Sequence, residues 1–188
     1  MISPAAFVVI LALLAPGELD GQAVDTRARL SGEVAFDGKG TLGGFTGTST
    51  KITGRLFERI PLARSSGWVE ADAASLKTGN NRRDRDMYSS LEVDKYPAIR
   101  FDLDSLELLG PAQRDSVPVT LRGRFTIHGI SRAAGVRGWV IRAGQRTRFA
   151  GTSPMTLTDY RIGKLTKAMG LFRMNPAITV RMNITFEG

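Results

Sequence analysis

Four carboxylates and three arginines crowd one short stretch of this chain: Asp84, Asp86, Glu92 and Asp94 with Arg82, Arg83 and Arg85. Paired carboxylates can hydrolyse glycosidic bonds or hold calcium. Here the arginines interleave with Asp84 and Asp86, which favours mutual pairing over either chemistry. The one histidine, His128, has a side chain suited to acid–base work near neutrality. It stands at a strand end just before Gly129, with no carboxylate beside it in sequence. It is read as a structural residue capping a turn. The 188 residues include no cysteine, which excludes disulfides, thiolate metal sites and cysteine nucleophiles. No EF-hand spacing, Walker loop, Gly-x-Ser-x-Gly elbow or His-Glu-x-x-His pair occurs. The Asn183-Ile184-Thr185 sequon lies inside a predicted strand, where chance explains it. The expectation is a protein that is not an enzyme, with no catalytic residue, no metal and no cofactor.

The elements that position these groups read as strands. Ile178, Val180, Met182, Ile184 and Phe186 alternate with Thr179, Arg181, Asn183 and Thr185, a period of two with one apolar and one wet face. Val117, Val119, Leu121, Phe125 and Ile127 do the same opposite Thr120, Arg122, Arg124 and Thr126, with Gly123 marking a bend or bulge. Ile99, Phe101 and Leu103 alternate with Arg100, Asp102 and Asp104. Weaker alternation covers Glu33–Phe36, Ile52–Ile60, Gly67–Ala73, Arg137–Arg142 and Thr147–Leu157. About eight strands at regular spacing predict an all-β sandwich or antiparallel β-barrel. The exception is Asn80 to Leu91, which lacks β-branched residues and places Met87 and Leu91 on one helical face. It predicts a short helical insertion, with Asn81 as N-cap and Asp84 as the acid three residues on. Such a barrel is either filled by its side chains or hollow enough for one slender ligand, and both states occur.

The formal charge of +8 is unevenly spread. Residues 24–116 carry 14 basic and 14 acidic groups, whereas residues 117–188 carry 12 basic groups against only Asp159 and Glu187. Alternation puts Arg122, Arg124 and Arg181 outside, with Arg146 and Arg148 flanking another strand. A basic outer face suits anionic phospholipid headgroups. Specific nucleic-acid binding is not expected, because few outward aromatics alternate with these arginines as stacking platforms. At the other end, Ala5 to Ala15 is an unbroken apolar run of 11 residues, broken by Pro16 and Gly17. It is too short to span a bilayer, which takes about 20, and suits the core of an export signal. Gly21 and Ala23 supply small residues for cleavage, so residues 1–23 are expected to be a signal peptide and 24–188 the barrel domain. The product is expected to be periplasmic or secreted.

Several segments together resemble the YceI-like family of bacterial lipid- or polyisoprenoid-binding proteins. They are Ser75-Leu76-Lys77-Thr78-Gly79-Asn80 followed by Arg83-Asp84, then Tyr96-Pro97-Ala98-Ile99-Arg100-Phe101, then Gly123-Arg124-Phe125-Thr126-Ile127-His128-Gly129-Ile130-Ser131. Gly44-Phe45-Thr46-Gly47 fits more loosely. The resemblance runs from about Ser31 to Phe186. Arg132-Ala133-Ala134 departs from the family's Lys-Pro-Val, and Lys164–Met174 diverges. The resemblance implies an extended lipocalin-like barrel with a helix near one mouth, export, and an isoprenoid or other long-chain lipid held inside. Since some members pair, it extends to a homodimer.

Alternation and resemblance together name the residues expected to touch the apolar ligand: Phe36, Phe45, Met87, Tyr96, Ile99, Phe101, Phe125, Ile127, Met155, Tyr160, Met182 and Phe186. Arg82, Arg83 and Arg85 are head-group candidates, near a helix N-terminus that also favours an anion. The competing expectation is an interaction module with a packed core, docking on an anionic membrane or another polyanion through its basic face.

Overall fold

The computed structural model describes residues 24–26, 29–59, 61–163, 166–167 and 172–187. The expected export signal at residues 1–23 and part of the divergent 164–174 stretch lie outside them. Twelve strands and one helix follow in chain order: β1 (Val24–Thr26), β2 (Arg29–Gly40), β3 (Gly43–Ser49), β4 (Ile52–Glu58), β5 (Ser66–Asp72), α1 (Asn81–Leu91), β6 (Ala98–Leu108), β7 (Ser116–Ile127), β8 (Ile130–Ala143), β9 (Arg146–Thr156), β10 (Thr166–Lys167), β11 (Phe172–Arg173) and β12 (Ala177–Glu187). Ten of them form one antiparallel sheet in the order β1-β4-β5-β6-β7-β8-β9-β12-β2-β3, and β10 and β11 pair separately. The main sheet thus has more strands than the eight expected. The Gly- and Thr-rich β3 and the three-residue β1 carry no apolar alternation to reveal them.

The sheet curls on itself. A side chain added at Gly54 of β4 would lie 2.9 Å from Leu30 of β2, so the two flanks of the sheet meet through side chains. Inside, the alternation reads as expected: Ile178, Met182, Ile184 and Phe186 on β12 and Val119, Leu121, Phe125 and Ile127 on β7 are all buried. The expected bulge lies opposite Gly123 rather than at it. On β6, Asp104 is an extra residue between Leu103, which pairs with Gly123, and Ser105, which pairs with Arg122. The inserted residue leaves the consecutive Asp104 and Ser105 both outside and brings Leu106 back to the core. Gly123 has another reason to be glycine. A Cβ there would lie 2.0 Å from the Asp102 carbonyl oxygen and 2.9 Å from the Phe101 ring. The ring occupies the space that a side chain would fill, tilted against Phe125 at 4.8 Å between centroids.

His128 and Gly129 make the two-residue turn between β7 and β8, with φ of 53° and 71°. Two successive positive φ angles match the turn whose twist suits a tight hairpin. The outer face is less bare than the sequence implies. Strand order places acids from residues 24–116 beside arginines from residues 117–188. Arg122 meets Glu107 at 2.6 Å, Arg124 meets Asp104 at 3.3 Å and Arg181 meets Asp37 at 3.1 Å. Such exposed pairs contribute about 0–1 kcal/mol each. They do reduce the free positive charge available to a polyanion.

Gly123→Ala is expected to lower the unfolding free energy by about 1–3 kcal/mol or more, because the clash is with backbone as well as a ring. Chemical denaturation of the two proteins measures it.

Candidate functional site

The barrel is hollow at the end that α1 covers. A cavity of about 490 Å³ runs inward from there, within the roughly 300–1,000 Å³ usual for small-molecule sites. Its walls are Val34 and Phe36 from β2, Val69 and Ala71 from β5, Ile99 and Phe101 from β6, Phe125 and Ile127 from β7, Met155 from β9, and Ile178, Val180 and Met182 from β12. Met87 and Leu91 close it from α1, and the β2–β3 hairpin tip, Gly40 to Gly44, forms one lip. The charged side chains that touch the cavity are Arg82, Arg83, Asp86 and Arg173, with Asn80 and Ser90 also in the lining. The interior is thus apolar, and its polar side chains come from α1 with its cap, from Thr41 at the hairpin tip and from β11.

A short network fixes α1 over this opening. The helix begins one residue earlier than expected: the side chain of Asn80, not Asn81, accepts from the backbone N–H groups of Arg82 and Arg83 at 3.0 and 3.1 Å. Asp84 is therefore free of the capping role and is buried instead. Its carboxylate accepts from the backbone N–H of Thr78 at 2.9 Å and from the Thr78 hydroxyl at 2.6 Å. Arg83 donates from Nε to the same hydroxyl and from a terminal nitrogen to the Thr78 carbonyl, both at 2.9 Å. Tyr88 donates to the Leu76 carbonyl at 2.6 Å. The loop so held is tied to the barrel by paired backbone bonds between Thr48 and Lys77 at 2.9 Å, and by the Ser49–Ser75 hydroxyl pair. The Arg83 guanidinium lies 4.5 Å over the Phe45 ring, an arrangement that favours a cation on an aromatic face.

Of the twelve apolar residues expected at a ligand, nine line this cavity: Phe36, Phe45, Met87, Ile99, Phe101, Phe125, Ile127, Met155 and Met182. Three lie elsewhere. Tyr96 packs its ring against His128 at 4.6 Å between centroids. Tyr160 is 3% exposed and packed in the core cluster. Phe186 faces a second, smaller void of about 50 Å³ towards the opposite end of the barrel. Among the head-group candidates Arg82 and Arg83 reach the cavity, while Arg85 is exposed and outside its lining. The lining includes residues that sequence reasoning did not choose. Ile178 and Val180 share the face of Met182 and were available from the alternation. Ala71, Ile162 and the hairpin residue Leu42 had no comparable signal.

His128 is not in the cavity lining. Its Nδ1 is 3.1 Å from the Tyr160 carbonyl oxygen. A carbonyl can only accept, so Nδ1 carries the proton. Nε2 faces Glu92 at 3.6 Å and makes no hydrogen bond. The histidine joins the β7–β8 turn to the segment after β9, in keeping with a structural role. Among the described residues no group of three His, Asp or Glu side chains could hold a metal ion.

A family model described as "YceI-like domain" matches residues 25–186. Solved structures share the fold at low identity. BcnA from Burkholderia cenocepacia superposes with a TM-score of 0.67 and 16% identity, covering 81% of this chain and 94% of that one. A polyisoprenoid-binding domain from Saccharophagus degradans, implicated in plant cell wall breakdown, gives 0.68 and 17%, covering 88% and 97%. The YCEI protein of Campylobacter jejuni gives 0.61 and 16%, covering 76% and 84%. No curated relative matches the chain.

Burial pushes the Tyr160 phenol above its ordinary value of 10.0, helped by the Asp159 carboxylate and opposed by Arg132. The folded state then holds this proton more tightly than the unfolded one. Its contribution to stability is intact below pH 10 and is lost as pH rises through the folded value. Denaturation between pH 9 and about pH 12 is expected to show a steeper loss for the native protein than for Tyr160→Phe.

Proposed function

The chain belongs to the YceI-like family, and we propose that it is an exported binding protein that carries a long apolar lipid, an isoprenoid chain by preference, inside its barrel. The observation that carries this reading is the cavity of about 490 Å³ with aliphatic and aromatic walls and its charges confined to the segments around the opening. The polyisoprenoid-binding domain of Saccharophagus degradans, which shares the fold, supports the same ligand class. The driving force would be burial of the ligand's apolar surface, at roughly 25 cal/mol per Å² before the cost of ordering a flexible chain. Arg82, Arg83 and Asn80 would meet the polar end at the opening. Arg83 is already held by Thr78 and Phe45, so little further ordering is needed for it to act.

The hairpin tip supports a route for the ligand. Leu42 is 84% exposed beside the cavity opening. An exposed leucine that shares the cavity lining with Arg82 and Arg173 is suited to an anionic membrane surface, where cations meet headgroups and the apolar side chain enters the interface. Lipid would then pass between bilayer and cavity without crossing water. The reading involves no catalytic step. The competing module with a packed core finds no comparable support, since the interior is open.

Native mass spectrometry with organic extraction of the purified protein is expected to give a reproducible lipid mass. Val180→Trp, which projects into the cavity, is expected to lose it while keeping a cooperative thermal transition. A native protein that is repeatedly empty after gentle purification contradicts the proposal. N-terminal sequencing of the protein recovered from outside the producing cell's cytoplasm is expected to begin at Val24.

A further inference from the structure

Beyond the cavity under α1 lies the smaller void of about 50 Å³, lined by Leu106, Leu121, Val140, Phe149, Ile184 and Phe186 among others. Three residues line both spaces: Val69, Phe101 and Met182. They come from β5, β6 and β12 and are 6%, 3% and 3% exposed. They form the floor of the first space and the ceiling of the second. The far end of the second is polar: Glu58 accepts from Thr147 at 2.6 Å and from Arg142 at 2.7 Å. The void is therefore an apolar compartment with a side-chain partition on one side and a hydrogen-bonded polar end on the other.

The three partition residues differ in how readily they move. Val69 is branched at Cβ and stiff. Phe101 is held against Phe125, with its ring in the gap left by Gly123. Met182 is unbranched, with flexible torsions and a polarizable sulfur that adapts to irregular space. We propose that the smaller void is a reserve compartment for the far end of the ligand tail, and that Phe101 and Met182 set the length of chain the protein accepts, Met182 being the movable part. The ligand class is a linear or prenyl chain too long for the first space alone. At about 10–15 Å³ per water-sized group, the reserve adds roughly three to five carbons, close to one isoprene unit. This inference rests on the lipid-binding reading above and adds a length rule to it.

The test uses the delipidated full-length mature protein and a series of linear polyprenyl alcohols differing by one isoprene unit, competed in one mixture and read by native mass spectrometry. Met182→Ala is expected to move the preferred length up by one unit. The occupancy ratio of that longer chain to the native preference should rise at least about tenfold, since each extra buried methylene favours binding severalfold. Adding Ile184→Phe, which fills the reserve compartment, is expected to cancel the gain. Met182→Val is a milder variant that should shift the ratio the same way, and it decides the matter if Met182→Ala gives no cooperative thermal transition. Chains bound by all variants with an unchanged length preference overturn the inference while leaving lipid binding intact. No chain of any length bound by the native protein overturns both.

Discussion

Ten strands wrapped around side chains of mostly aliphatic size leave a cavity of about 490 Å³. Water drawn into such a space needs two to four polar partners to be stable, and away from the opening the walls are mainly Val, Ile, Phe, Met and Ala. An empty apolar space also forgoes dispersion contacts all round its lining. The same positions that make the barrel stable elsewhere, where Leu106, Val119, Val136 and Phe149 are buried, thus create a standing preference for an apolar occupant here. The rest of the structure bears on how that space is opened, closed and marked.

Closure depends on the buried carboxylate of Asp84. A carboxylate removed from water needs charge-assisted hydrogen bonds, and Thr78 supplies two. That requirement pins the loop before α1 to the helix, and with it the positions of Arg83, Met87 and Leu91 over the opening. Charge is kept at the two ends and on the outer surface, where acids and arginines on neighbouring strands pair. The net charge of +8 therefore describes the chain better than it describes any one face. The cations after residue 116 meet acids before it because β12 pairs with β2 and β7 pairs with β6.

Much of this was legible in the sequence because the pleat imposes a strict period. Met182 on β12 and Phe101 on β6 were read as inward from alternation alone, and both line the cavity. The helix was legible from its missing β-branched residues, although its cap was misplaced by one residue. Asn80 and Asn81 have identical side chains, and only the loop's path chooses between them. Other features depend on packing between distant strands. The bulge at Asp104 is a shift in the pairing of β6 with β7, and no periodicity on β7 reports it. Tyr96 and Tyr160 have the right chemistry for a ligand wall, but the His128 turn and the segment after β9 claim them. Whether a barrel is hollow depends on summed volumes from strands that are far apart in the chain, and alternation is silent on volume.

The most direct test of the central claim is a crystal structure of the protein as purified, without added ligand. The account predicts one continuous tube of non-protein density, with its polar end by Arg82 and Arg83 and its apolar end reaching Met182. A cavity collapsed onto its own side chains, or occupied only by separate ordered waters, would contradict it.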